Sequence, residues 1–140
     1  MTGRDQLLQT LDDTHTRLIT AAMDATARGM KGPWGPREIL AHVVGWEAVA
    51  IAYLPQLLEG NELLERAINI AMVTLVGDQS IETLSDMLYQ VHQRFIQMPE
   101  VQDEVSFVPG HAAYERAKAA IAHSLEHVRE LELWQEDKGR

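Results

Sequence analysis

Two histidines spaced by four residues are the strongest chemical signal in this sequence. His123 and His127 lie in the stretch Ala122-His123-Ser-Leu-Glu-His127, inside a run whose apolar pattern predicts a helix. Side chains four residues apart on a helix lie one above the other, with Cβ atoms about 5 to 6 Å apart, so both imidazoles can reach one ion. Because the chain has 6 histidines, such a pair also arises by chance, and the spacing alone is a weak signal.

A third candidate ligand is His42, which lies in the middle of an apolar helix face. A buried imidazole needs a partner for each nitrogen, and a helix interior offers few because its backbone groups are already paired. His42 is therefore either a hydrogen-bonded core residue or the residue that completes a site with His123 and His127. The apolar residues that share its face are Ile39, Trp46, Val49 and Tyr53.

Three neutral imidazoles from two helices would bind a zinc or nickel ion and leave one coordination position open. The sequence contains no cysteine, which excludes thiolate ligands and cysteine nucleophiles. An ion with an open position lowers the pKa of a bound water toward neutrality or holds an incoming thiol as thiolate. The pattern therefore predicts metal-activated chemistry on a small molecule.

Two charged residues near the candidate ligands are the candidate catalytic groups. Glu47 follows His42 on the second helix, where it could act as a general base or pair with a cation from another helix. Arg116 precedes His123 by two turns and points in nearly the same direction. It could hold an anionic group of the substrate, or it could lie solvated at the surface.

Other polar residues are weaker candidates for the site. Glu38, one turn before His42, could accept a hydrogen bond from an imidazole N–H or be a first-turn glutamate favoured by the helix dipole. His92 could be a fourth ligand, although its place beside the apolar stripe of its helix favours a rim position. For the remaining candidates we predict surface positions for His15 and His111, and core edges for Tyr53 and Tyr114.

The elements that must position these residues are helices. Apolar residues recur at steps of three and four almost throughout, and strand-type alternation is missing, so we predict an all-α fold. The expected architecture is a four-helix up-down bundle with an additional short crossover helix, forming one domain over residues 1–140. The predicted helices are Arg4 to Ala27, Pro36 to about Leu54, the crossover Glu62 to Val76, a helix capped by Ser80 that ends before Pro99, and His111 to about Trp134, with a loop over 98–110.

The net charge and the apolar pattern restrict the kinds of partner that we expect. The 12 Lys plus Arg against 21 Asp plus Glu give a net charge of −9 with no basic tract, so we expect no nucleic-acid partner. No apolar stretch is long enough to span a bilayer, so we expect a cytoplasmic protein without a membrane partner. The segment Glu62 to Val76 is apolar on nearly every side, which predicts burial in the bundle or against a second copy in a homodimer.

Two stretches also resemble a known family. Trp34-Gly-Pro-Arg-Glu-Ile-Leu-Ala-His42-Val-Val-Gly-Trp46-Glu47 is similar to the tryptophan-led W-s-x-x-D/E-x-x-x-H-x-x-x-W motif of DinB/YfiT-like proteins, and Ala122-His123-Ser-Leu-Glu-His127 resembles their C-terminal H-x-x-x-H. The resemblance implies a four-helix bundle with a nickel or zinc triad of His42, His123 and His127. Trp34 and Trp46 would be packing positions.

The resemblance implies a site more firmly than a reaction. Family members with assigned chemistry include transferases and isomerases that use mycothiol or bacillithiol, and hydrolase-like detoxifying proteins. We therefore expect a metal-dependent hydrolase or thiol transferase that acts on a small molecule, with a low-molecular-weight thiol as cosubstrate in the second case. The alternative is a non-catalytic helical module for metal binding or dimerisation.

Overall fold

The computed structural model describes residues 2–30, 34–52, 76, 78–105 and 107–134. These residues form helices joined by turns, with no strand in the described part, so the all-α prediction is confirmed. The predicted crossover helix and Tyr53 lie outside the described residues, except for Val76, which is helical. The helices are α1 (Gly3–Ala27), α2 (Pro36–Ala52), α3 (Ile81–Gln97), α4 (Pro99–Gln102) and α5 (Ala112–Leu133).

Local hydrogen bonds explain where the first helix begins and ends. The Thr2 hydroxyl accepts from the Asp5 N–H at 3.1 Å, and the Asp5 carboxylate accepts from the Thr2 N–H at 3.3 Å, which forms a capping box. The backbone and side-chain hydrogen bonds with Thr2 hold the pKa of Asp5 below its usual value. After α1, Gly29 has φ 96°, a left-handed conformation that glycine adopts at little cost.

The third helix begins as the sequence predicts, but a short helix follows it that the pattern did not indicate. Ser80 caps α3 by accepting a hydrogen bond from the Thr83 N–H at 3.1 Å. Pro99 then starts α4 inside the predicted loop, and Val101 of that helix is fully buried. Periodicity missed α4 because four residues are too few to repeat an apolar step.

The long helices do not alternate strictly in direction. Leu11 in the first half of α1 packs in one apolar cluster with Ala113 and Ala117 at the start of α5, and Arg28 after α1 donates at 2.6 Å to the carbonyls of Leu131 and Trp134 at the end of α5. Helices α1 and α5 therefore run the same way. Helix α2 runs opposite to α1, because Ala27 at the end of α1 and Pro36 at the start of α2 line one cavity, whereas Leu11 in the first half of α1 and Ala50 near the end of α2 line another.

Helices α2 and α3 also run in the same direction. Arg37 at the start of α2 donates to the Asp78 carbonyl before α3, and Ala50 near the end of α2 lines a cavity with Val91 and His92 in the second half of α3. The predicted up-down alternation is therefore not confirmed between α2 and α3. Apolar periodicity predicts the length and inward face of a helix but carries no information on its direction.

Two apolar clusters form the core, at opposite ends of the packed helices. One gathers residues from the second half of α1, the first halves of α2 and α3, and the end of α5; it includes Leu18, Ile39, Leu84, Val128 and Leu131. The other lies where α1 and α5 begin and α3 ends; it includes Leu11, Phe95, Val101, Phe107 and Ala117. Buried polar side chains, including His15 and His92, lie between the two clusters along the chain.

No helix among the described residues has the length and apolar content needed to cross a bilayer.

A pair of leucines near the end of α5 tests this packing. Leu131 is fully buried against the first cluster, whereas Leu133 is 70% exposed. We expect Leu131→Ala to lower the free energy of unfolding by about 2 to 5 kcal/mol through lost burial and a residual cavity. The control, Leu133→Ala, should change it by less than about 0.5 kcal/mol. Urea unfolding followed by circular dichroism measures both; equal losses would contradict the described end of α5.

Candidate metal centre

The three predicted ligands meet at one point between α2 and α5. The Nε2 atom of His42 lies 2.8 Å from the Nε2 atom of His123, which in turn lies 3.1 Å from the Nε2 atom of His127. Within the part of the chain that the structure describes, this is the one group of three metal-ligating side chains whose ligand atoms all lie within 4.8 Å of one another. The two stretches of sequence therefore bring their imidazoles together as predicted.

A carboxylate on α5 orients one of these rings. The Nδ1 atom of His127 lies 3.2 Å from Oε2 of Glu130. Because a carboxylate only accepts hydrogen bonds, Nδ1 is the donor, and in the neutral ring the lone pair is on Nε2. That lone pair points to the other two imidazoles. A carboxylate that fixes the tautomer of a histidine in this way is a common feature of metal sites.

The distances between the nitrogens fit a small cation with little rearrangement. A tetrahedral ion at about 2.0 to 2.1 Å from each nitrogen separates the nitrogens by about 3.3 Å. The observed 2.8 and 3.1 Å require an opening of a few tenths of an ångström. Without a cation, the three facing nitrogens can share few hydrogen bonds, because each neutral ring supplies a single N–H. The donor set therefore suits a divalent ion.

Burial keeps the central imidazole neutral. Burial, followed by the charges of His127 and His42, lowers the pKa of His123 to about 3. Its ring therefore carries no proton on one nitrogen at neutral pH. His42 and His127 are also buried, with 7% and 8% of their surface exposed.

Two tryptophans pack against the ring of His42. Trp34 and Trp46 contact it edge-to-face, with ring centroids 5.3 and 6.5 Å away. The packing positions implied by the family resemblance are thus occupied around this ligand. Large rigid rings on two sides limit the orientations that the imidazole can adopt.

Both predicted catalytic residues lie beside the candidate ligands. A cavity of about 340 Å³, which we call the site cavity, has polar and apolar walls contributed by α2 and α5. Glu47 and Arg116 line it together with two of the three histidines. The full lining is His42, Trp46, Glu47, Ala50, Arg116, Ala119, Ala120 and His123.

Glu47 is held by a residue whose position was predicted wrongly. His15 is only 5% exposed, and its Nε2 lies 2.7 Å from Oε1 of Glu47. The surface prediction for His15 is therefore wrong. The missed signal is its spacing: His15 follows Leu11 by four residues and precedes Leu18 by three, which places it on the inward face of α1. Glu47 thus pairs with an imidazole from another helix, where the sequence offered either a general base or a partner for a cation.

His92 is not part of the triad. It forms a second polar cluster with His15 and Glu47, which we call the second cluster. His92 is 4% exposed, so the rim prediction is wrong, and its ring contacts that of His15 at 5.1 Å. It is not among the three grouped ligands. A narrow inner cavity of about 30 Å³ adjoins it, and Glu47 and Arg116 line this cavity too. The Nδ1 atom of His92 and Oε2 of Glu47 are buried with no hydrogen-bond partner among the described residues.

The environment of His92 also lowers the pKa of its ring. Burial and the charge of His15 lower the pKa of His92 to about 4, against a smaller opposing effect of Asp12, whose carboxylate lies 3.7 Å from Nε2. The other charged groups at this cavity are Glu47 on α2 and Arg116 on α5.

The remaining candidates lie away from the triad. Glu38 lines a different cavity with Ser80 and Ile81, and it lies in the first turn of α2, as the helix-dipole alternative predicted. Glu130, which was not among the sequence-based candidates, is the carboxylate that contacts an imidazole of the triad. His111 is exposed at the N-cap of α5, and Tyr114 is half-buried against Phe107, as predicted.

Comparisons of this chain with protein-family models, with curated proteins and with solved structures give no match. The DinB/YfiT-like assignment therefore remains a prediction from the two motifs.

The second cluster predicts a pH-dependent stability. An unfolded chain binds protons at His92 near pH 6.5, whereas the folded chain does so near 4, so the unfolded state holds more protons in between. Above pH 6.5 the residue is neutral in both states and the free energy of unfolding has its full value. As the pH falls from 6.5 toward 4, protonation of the unfolded state lowers this free energy by about 3 kcal/mol. In His92→Gln, the unfolding free energy should fall less steeply over this range.

The matched control is His111→Gln, which changes an exposed histidine. Urea unfolding of the metal-free protein from pH 7 to 4.5 compares the variants. A wild-type slope in His92→Gln would contradict the buried, neutral state of His92.

Proposed function

We propose that this chain is a metal-dependent enzyme of the DinB/YfiT type, which binds a zinc or nickel ion with His42, His123 and His127 and acts on a small molecule. The supporting observation is the convergence of three imidazole Nε2 atoms, two of them from histidines that line a cavity together with a carboxylate and a guanidinium. A purely structural histidine cluster would not need an adjoining cavity lined by charged groups of both signs.

The proposed chemistry follows from the groups at the cavity. When bound, a divalent ion supplies Lewis acidity that activates water or a thiol at neutral pH. Glu47 keeps Oε1 on His15 and offers Oε2 as the acceptor for a proton or for a hydrogen bond from the substrate. Arg116 provides a fixed positive charge for an anionic part of the substrate. Hydrolysis and thiol transfer, the second with a low-molecular-weight thiol, are both compatible with these groups.

The proposed fold is the four-helix bundle that the resemblance implies. Helices α1 and α2 each contact both α3 and α5, so four long helices share one core. Because α2 and α3 run in the same direction, we propose a bundle with one crossover between them rather than strict alternation. The proposed homodimer depends on the segment Glu62 to Val76, most of which lies outside the described residues, and it stays a prediction.

Metal content tests the proposed ligands. The purified wild-type chain, stripped of metal and reloaded with zinc or nickel, should retain about one ion per chain after dialysis. A His42→Ala/His123→Ala/His127→Ala variant should retain almost none, while the control His111→Ala retains the wild-type amount. Mass spectrometry of the metals gives the ratio. Equal metal in the triple variant and the wild type would reject the triad.

The carboxylate beside His127 gives a finer test. Glu130→Gln removes the charge that fixes the tautomer of His127, so the affinity for zinc should fall about 10- to 100-fold. Glu126→Gln changes an exposed glutamate one turn earlier on the same helix and should leave the affinity unchanged. Competition with a chromophoric chelator measures both variants. An unchanged affinity in Glu130→Gln would show that this contact does not support a bound ion.

A further inference from the structure

Arg116 lines the site cavity and has no carboxylate partner among the residues that the structure describes. Its side chain is half-buried and lines both the site cavity and the inner cavity. None of the ion pairs found among the described residues includes it. The neighbours on its own helix offer none either, because the residues three and four positions away are Ala112, Ala113, Ala119 and Ala120. Its guanidinium donors are therefore available to a ligand.

Glu47 lines the same two cavities, and only one of its two carboxylate oxygens has a hydrogen-bond partner among the described residues. Oε1 pairs with His15 at 2.7 Å, which fixes the position of the carboxylate. Oε2 is buried and has no partner within the described structure. A buried acceptor without a hydrogen-bond partner is unfavourable, and a ligand that donates a hydrogen bond to it removes this penalty.

The two opposite charges line one cavity and yet do not pair with each other. Arg116 on α5 and Glu47 on α2 belong to different helices, and no ion pair within 4.0 Å joins them. A molecule between them can satisfy both at once if it carries an anionic group and a hydrogen-bonding cationic group. The ring of Trp46 and the side chains of Ala50, Ala119 and Ala120 supply apolar walls for the body of such a molecule.

We propose that the site cavity selects small amino acids or related zwitterions, with the carboxylate on Arg116 and the ammonium on Glu47. The assignment rests on the proposed function in one respect: the selected molecule becomes a substrate only if the triad beside it binds a metal. It gives Glu47 a role in binding the substrate. A volume of about 340 Å³ suits a molecule of this size.

Binding to the metal-free protein tests this proposal without any activity assay. The probes share a four-carbon body: 2-, 3- and 4-aminobutyrate carry both charges at three spacings, butanoate carries the negative charge, 1-aminobutane the positive charge, and 1-butanol neither. Affinities come from titrations followed by the indole N–H signal of Trp46 in two-dimensional NMR. At least one aminobutyrate should bind about tenfold or more tightly than every singly charged or uncharged probe.

Two variants assign the charges. Arg116→Gln should weaken the preferred aminobutyrate and butanoate about tenfold while leaving 1-aminobutane unchanged. Glu47→Gln should weaken the aminobutyrate and 1-aminobutane while leaving butanoate unchanged. Circular dichroism confirms folding; if Glu47→Gln unfolds, Arg116→Gln together with the wild-type panel decides. Equal affinities across the panel, or unchanged selectivity in Arg116→Gln, would overturn the proposal.

The outcome is independent of the metal test. Zwitterion selectivity in a chain that binds no metal would leave the cavity assignment standing and reject the proposed enzyme. Metal binding by the triad without charge selectivity would reject the cavity assignment alone.

Discussion

Polar side chains buried inside a helical core must find partners, and this requirement shapes the middle of the structure. His15, His42, His92 and His127 are each less than 10% exposed, in a protein whose helices have already paired most of their backbone groups. His15 and His42 therefore pair with side chains of other helices, and His127 pairs with Glu130 and His123 of its own helix. In the triad, the imidazoles contact one another. In the second cluster, His15 contacts Glu47, and the rings of His15 and His92 meet edge-to-face.

Helix α2 connects the two sets. It contributes His42 to the triad and, five residues later, Glu47 to the second cluster, and both residues line the site cavity. A change in the position of α2 would therefore move a candidate ligand and a candidate binding group together. The buried valines and leucine beside His42 fix this helix in the core, so the positions of both candidate residues depend on apolar packing.

Much of this arrangement could be predicted from the sequence. The three- and four-residue periodicity predicted the long helices, and the spacing of His123 and His127 placed two imidazoles on one face. The apolar neighbours of His42 correctly indicated burial. The spacing of His15 to Leu11 and Leu18 also indicates an inward position. The general preference of polar residues for the solvent side of an amphipathic helix predicted the opposite and was wrong here.

Other features depend on contacts that no local pattern encodes. The pairing of His15 with Glu47 joins residues 32 positions apart, and the parallel course of α2 and α3 depends on how the whole chain packs. The role of Glu130 follows from the rotation of one imidazole. These are tertiary contacts, which single-sequence periodicity does not specify.

The most direct test of the central claim is anomalous X-ray scattering at the zinc edge from crystals of the protein loaded with zinc. We expect one strong peak about 2.0 to 2.1 Å from the Nε2 atoms of His42, His123 and His127. A peak elsewhere on the chain, or none at all with the three rings bonded only to one another, would contradict it.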